Sequence, residues 1–449
     1  DANTEGAENI GIGSNAVGSN TTGNDNVGIG GGALATNTTA SSNVAVGRSA
    51  LSANTTGAEN TATGYRALYT NTTGGQNVAM GTSALQNNET GANNTAIGWR
   101  ALLVNTGGSN TAVGRSGLSA NTSGTANTAV GALAADSNTT GSYNVAIGGD
   151  VPGNSNAAFS ANTTGNFNIA IGNASLEKAT TADSNVGIGY KALFANTTGA
   201  SNTVMGFQAG LANTTGTNNT AVGQASLAAN TTGAQNVGVG LSAGASITTG
   251  ANNTVIGAAA GVTSVALTTG GQNVLLGRHC HTSAVDSSYA NGLGYNIEAL
   301  GGYTTIGESG SDIRAAHGNI TWATVSDERV KKDIEDSTVG LNFINDLRPV
   351  TFNYKNKGDL PTEFRGYEKD STEVYKSEKS QHGFIAQEVK SAIDKHSDIK
   401  NGFNLWDDND ETGQQRVGET ALIPMLTKAV QELSTALDAA LARIATLEG

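Results

Sequence analysis

Ser326 and Lys331 stand five residues apart in the segment Ser326-Asp327-Glu328-Arg329-Val330-Lys331-Lys332-Asp333-Ile334. These residue types can make a nucleophile and its base. A serine hydroxyl is weak by itself, and a lysine left neutral by burial can take its proton. Spacing alone favours a plainer reading, a helix start with Ser at the cap, acids in the first turn and bases further on. Partners on one helical face lie three or four residues apart, so this pair would need a turn between them or contributions from different chains. Two other groups invite chemistry. His279, Cys280 and His281 adjoin one another, but nothing nearby completes a metal site, so they are read as packing or exposed residues and no metal is expected. The 13 acids of residues 1–310 are scattered, which disfavours a glycan-cleaving carboxylate pair.

The elements that would position these residues fall into two parts. Over the first two-thirds a glycine closes a short strand at nearly fixed spacing, from Gly13, Gly30, Gly47 and Gly64 to Gly277 and Gly294. Thirteen of the sixteen intervals are 17 residues; the others are 16, 24 and 20. One such unit cannot bury its apolar face alone, so each is read as a rung of a stack. In the unit Asn43–Gly57, Val44 and Val46 alternate about Ala45, the period-two signature of a strand with one buried face. Leu51 is a second inward anchor. Asn54-Thr55-Thr56-Gly57 is a turn in which the glycine is expected to supply positive φ. Asn stands four residues before the marking glycine in 16 of 17 units. Stacking would align these amides in a ladder; a turn-forming role is the alternative, and both can hold.

Seventeen rungs at one inter-strand spacing each predict a shaft of roughly 80 Å. Each rung carries two β-branched residues, one Leu and a few Ala, a thin core for one chain, so three chains sharing an axial core are expected. The fold class is mainly β: a repetitive 17-residue parallel β-roll or solenoid over 1–310, a junction at 311–325, and a smaller α+β region over 326–449. That region ends in a coiled-coil helix over 420–448, read from Leu426, Val430, Leu433, Leu437, Ala440, Ile444 and Leu447 at alternating four-three spacing.

Composition narrows the classes. Of 449 residues, 14% are charged and 5% aromatic, and the net charge is −13. Residues 1–310 hold 13 acids and 7 bases, against 24 and 17 in 311–449, so charge density rises near 310. An acidic balance without a basic stripe argues against nucleic acid as a partner. The single Cys280 excludes an intrachain disulfide. No apolar run approaches the roughly 20 residues of a membrane helix, so no membrane insertion is expected. No signal peptide is visible, and the start at Asp1 points to an N-terminus that was removed or lies elsewhere.

The positions just after the marking glycine break the monotony, with Arg48, Tyr65, Trp99, Arg115, Tyr190 and Phe207 among them. Rows of aromatic and cationic residues could contact a surface receptor; interchain packing or a solvated edge is the alternative. A seven-residue insertion within 150–161 and a three-residue one near 262–268 would bulge as loops, the expected places for specificity. Asn-Thr-Thr triplets match the glycosylation sequon because the turn recurs. A flat, regular Thr-x-Thr array, as an ice-binding face needs, does not occur.

The pattern Asn-[Val/Thr]-Ala-[Ile/Val]-Gly with Asn-Thr-Thr-Gly turns resembles the head repeats of trimeric bacterial adhesins and similar repeats of phage fibres over about residues 1–300. Their repeat is shorter than 17 residues, so the resemblance implies a fold type, a left-handed parallel β-roll, and not its detail. Ser326–Ile334, Leu347-Arg348-Pro349-Val350-Thr351-Phe352-Asn353-Tyr354, His382-Gly383-Phe384-Ile385-Ala386-Gln387-Glu388-Val389 and Leu422–Leu433 together resemble the C-terminal intramolecular chaperone domain of phage endosialidases and tail fibres. That resemblance, over 320–449, implies a domain that trimerises, brings the preceding β-fibre into register and then cuts itself off. It places the family's serine on Ser326, its lysine on Lys331 and the cut at the Ser326–Asp327 bond, or one residue from it. His382, Glu388 and Asp327 belong to the matched blocks, with support of the pair and a structural role both open.

The expected function follows from these resemblances: a phage tail fibre or spike in the virion, trimeric, with an autocatalytic Ser-Lys endopeptidase that acts once on itself and needs no cofactor. Its expected partners are two further copies, other tail proteins and a glycan or protein receptor on the host surface. A cellular surface adhesin or filament assembled by the same chaperone is the alternative, and a polysaccharide-degrading spike ranks below both. Identical rungs permit slips by whole repeats at little cost, which is what a clamp at one end would prevent. Cleavage after assembly would trap the fibre kinetically.

Overall fold

The computed structural model describes residues 3–150, 156–309, 311–318, 323–324, 328, 331–364, 366–399, 405–407 and 415–448. The chain forms two compact units, Asp1–Val325 and Ser326–Gly449. In the first, sixteen three-residue strands from Ile10–Ile12 to Val274–Leu276 stack in parallel as a β-solenoid. Register is kept residue for residue: Ala45 pairs with Ala62 and Val46 with Thr63. The irregular intervals leave it intact, since Thr95 meets Thr111, Val145 meets Ile169 and Thr254 meets Val274. The short unit loses its residue from the turn. There the Asn105 amide reaches the Gly107 carbonyl two residues on, where Asn88 reaches Gly91 three residues on. After Asn291–Tyr295 and Tyr303–Glu308, Ser311–Ala316 runs antiparallel and covers the last parallel edge.

Which residues face inward differs from the expectation. The middle residue of each strand points in: Ala45, Ala62, Ala79 and Ala96 are fully buried. The flanking β-branched residues, read as the buried set, lie on the outer face, where Val44 and Val46 are half-buried and Ile97 is exposed. Interior volume explains this, because Leu51 and its counterparts already fill the rung. At two rungs a larger inward strand residue stands with a smaller corner. Buried Val204 and Val255 accompany Gly210 and Gly261, and a Cβ on either glycine would come within 3.4 Å of the valine methyls. At these two rungs the volume added on the strand is offset at the corner.

Two asparagine ladders complete the interior. In the expected one, the Asn60 amide donates to Asn43 Oδ1 (3.2 Å) and to the Gly74 carbonyl (2.9 Å), and its own Oδ1 accepts from Asn77 N–H (3.0 Å) and Nδ2 (3.1 Å). A second ladder, unforeseen, joins the turn asparagines: Asn54 donates to Asn37 Oδ1 (2.8 Å) and to Gly57 O (2.9 Å). Each buried amide thus finds partners without water. The second ladder breaks where Ile247 replaces Asn, and the buried Asn230 Oδ1 below it lacks a donor.

The turn glycine is selected by close approach and not by positive φ as expected. Gly57 is not left-handed; a Cβ there would stand 2.2 Å from the Gly74 carbonyl oxygen of the next rung, so close approach selects glycine. Positive φ falls instead on the strand-closing Gly47 (132°) and on non-glycine corners, Ser49 (57°), Leu51 (51°) and Glu59 (61°). Such corners cost about 1 kcal/mol each and persist because neighbouring rungs over-determine them.

The second unit is built from small pieces. Helices α1 (Leu341–Asp346), α2 (Ala386–Lys395) and α3 (Ile423–Glu448) accompany two antiparallel pairs, Val350–Phe352 with Gln381–Gly383 and Trp406–Asp407 with Arg416–Val417. Its core gathers Val339, Phe343, Val389, Ile393, Leu405 and Leu422. Val389, Ala392 and Ile393 supply the buried stripe of α2. Gly340 cannot cap α1 with a side chain, and Glu432 of α3 does so by accepting from Leu341 N–H at 2.8 Å. A short 3-10 helix at Glu419–Leu422 precedes α3, whose residues Leu426, Val430, Leu433, Leu437, Ile444 and Leu447 are exposed along the expected seam.

Candidate functional site

Of the residues read as a catalytic pair, Ser326 lies outside the described residues, as does Asp327. Lys331 is exposed, and its backbone N–H donates to the Glu328 carbonyl at 3.0 Å. His382 sits mid-strand opposite Thr351, with its Nδ1 3.1 Å from Thr351 Oγ1. It borders an open groove of about 690 Å³ lined by Phe352, Tyr354, Phe364 and Tyr375. Glu388, in the first turn of α2 where a carboxylate suits the helix dipole, is held bidentately by Arg348, with Nε at 2.9 Å from Oε2. The Arg348 hydrogen bonds hold the Glu388 carboxyl below its ordinary range. The hydrogen bond from His396, aided by Lys395, does the same for Asp346.

The shaft residues read as a receptor contact share one column. Arg48, Tyr65, Trp99 and Arg115 each follow a marking glycine, as do Tyr190 and Phe207, and all six side chains are exposed. The Tyr190 and Phe207 rings stack at 5.3 Å on adjacent rungs. One further exposed pair was missed: Tyr143 and Phe167 stack at 5.1 Å on the opposite side of the strand, five residues before their glycines. Their shared offset from the glycine was the signal for it. At the seven-residue insertion, Asp150 pairs with Arg115 at 3.8 Å, and burial pushes the Asp136 carboxyl up.

His279, Cys280 and His281 do not converge. His279 meets the Tyr295 ring edge-on, Cys280 is fully buried, and His281 Nδ1 lies 3.0 Å from the His279 carbonyl. Among the described residues, no group of three or more His, Cys, Asp or Glu is placed to hold a metal. Among them also, no helix is long and apolar enough to cross a membrane.

No curated protein and no solved structure matches this chain. Residues 326–398, within the C-terminal unit, match the family model described as chaperone of endosialidase.

Proposed function

We propose that this chain is a virion tail fibre whose C-terminal unit trimerises, sets the shaft in register and then cuts the chain near Ser326–Asp327. The coarse form needs no further step, because a β-solenoid joined to a chaperone-of-endosialidase region fits a tail-fibre-like structural protein. The family match carries the chaperone role, and the resemblance around Ser326 and Lys331 carries the cut.

Assembly into a trimer is supported by two unpartnered apolar faces. The residue just before the marking glycine is aliphatic in every rung from Ile12 to Leu293 except at Thr63, and Ile29, Met80, Ile97, Met205 and Ile256 are all 36–45% exposed. A continuous stripe of that kind is unusual on a solitary soluble chain. The exposed seam of α3 has heptad spacing and would join copies as a coiled coil. Exposed Lys331 would be buried on assembly, which ties cutting to completed association. Autocatalysis would be a single turnover per chain: the Ser326 hydroxyl gives its proton to Lys331 and attacks the carbonyl of the scissile peptide, the C–N bond breaks as Lys331 returns the proton to the leaving amine, and water then hydrolyses the acyl ester from the serine. The shaft, left as the mature part, would then attach to the host surface.

Sedimentation of the Ser326→Ala chain tests the assembly. A mass of three 45.1 kDa chains is expected. A monomer at every concentration would overturn it.

A further inference from the structure

We propose that one edge of the shaft, over the five rungs marked by Gly47 to Gly114, is a binding site for an acidic oligosaccharide lying along the stack. This rests on the reading of the shaft as the attaching part of the protein and names the ligand chemistry for it.

Charge is segregated by column. Residues 1–310 contain seven bases, and six of them stand one or two residues after a marking glycine. Arg48, Arg66, Arg100 and Arg115 supply four of those six within five successive rungs. No ion pair ties Arg48, Arg66 or Arg100 to a carboxylate among the described residues; Arg115 meets Asp150 at 3.8 Å. The acids of the same stretch lie in other columns, Glu59 five residues before its glycine and Glu89 in a turn. The edge is therefore cationic on a chain whose net charge is −13.

Aromatic residues alternate with that charge. Successive rungs present Arg48-Ser49, Tyr65-Arg66, Thr82-Ser83, Trp99-Arg100 and Arg115-Ser116. Backbone bonds hold these pairs in line: Arg66 N–H donates to Arg48 O, Ser83 to Tyr65 O, Arg100 to Thr82 O and Ser116 to Trp99 O, at 2.9–3.1 Å. Tyr65 and Trp99, 42% and 46% exposed, stand two rungs apart, roughly 10 Å along the stack. That is the length scale of a disaccharide, and the rung between the rings carries only the small Thr82 and Ser83 at these positions. Each ring carries its own arginine over one face, with Arg66 5.3 Å from the centre of the Tyr65 ring and 5.0 Å from that of Tyr69, and Arg100 5.0 Å from that of Trp99. Two platforms for sugar faces and four guanidinium groups for carboxylates or phosphates thus recur on a rigid backbone.

Binding of the full-length protein to oligosaccharides of hyaluronan and polygalacturonate tests this, with neutral chitooligosaccharides and a single-stranded oligonucleotide as comparisons. At least one acidic sugar is expected to bind saturably and more tightly than both comparisons. The Trp99→Ala/Arg100→Ala variant should lose roughly tenfold or more, the size one aromatic platform and one cation contribute together. Tyr289→Ala, exposed in another column and outside these five rungs, should bind like the parent. Absence of binding to both acidic sugars, equal binding of a neutral sugar or the oligonucleotide, or a changed oligomeric mass in the double variant would each overturn the site. Adsorption to a panel of bacterial cells is measured alongside. Adsorption undiminished by the double variant overturns this edge and leaves the attaching shaft standing, whereas absence of any adsorption overturns the attachment reading itself.

Discussion

In the shaft every residue's neighbours are its own counterparts one rung away, whereas in the C-terminal unit Phe343 packs against residues drawn from several separate segments. The difference shows where specificity resides. An asparagine ladder bonds as well to the wrong rung as to the right one, because the next rung offers the same amide and the same carbonyl. Only the breaks, such as Ala179 and Ile247 where the turn asparagine is missing, distinguish one rung from another. The C-terminal core has one solution. A stable but register-blind stack joined to a small unique core matches the division of labour between a shaft and its chaperone.

The largest expected contrast comes from interior polar residues. Asn60→Ala removes two donors and an acceptor from the buried ladder and strands the Asn77 backbone N–H, which donates to Asn60 Oδ1 at 3.0 Å, while the Gly74 carbonyl keeps only its bond from Asn71. With buried groups left unpaired, a loss of roughly 3 kcal/mol or more in shaft stability is expected by denaturant unfolding. Gly57→Ala should be of similar size, because the atom it meets is fixed backbone. In the C-terminal unit, Asn353→Ala, which loses an exposed bond from Ser380 at 2.7 Å, should cost under about 0.5 kcal/mol.

Acid should separate the two units next. Glu388 and Asp346 have folded pKa values lowered by Arg348 and by His396. Their stabilisation is present above the ordinary carboxylate range and is lost as pH falls through the depressed values. Asp136 in the shaft is shifted the other way by burial, so its ionisation penalty is relieved on acidification. Circular dichroism and proteolysis between about pH 5 and 2 should therefore show the C-terminal unit opening while the shaft persists. Simultaneous loss would break the contrast.

The smallest effect is a chemical one. Burial pushes the Cys280 thiol up to about 12, so iodoacetamide at neutral pH should label it only after the shaft unfolds. Rapid labelling of the folded protein would show that the terminal rungs breathe.

Much of this was legible in the sequence. Periodicity revealed the solenoid, the strand positions and the first asparagine ladder, because a repeat imposes the same environment on each copy. Val44 and Val46 were misassigned because alternation tells which residues share a face but not which face is inside. Gly57 was misread because a turn signal and a steric contact with Gly74 select the same residue. In the C-terminal unit no period helps: the Arg348–Glu388 bridge joins residues 40 positions apart, and spacing does not reveal such a pair.

The most direct test of the central claim is intact mass after full heat dissociation, for the parent chain and Ser326→Ala side by side. Cleavage of the parent into pieces of about 326 and 123 residues, with the variant whole, is the expected result and identifies Ser326 as the nucleophile. If the parent stays whole, or the variant is cut equally, the C-terminal unit is a permanent clamp or is cut by another agent, and the assignment of Ser326 and Lys331 fails.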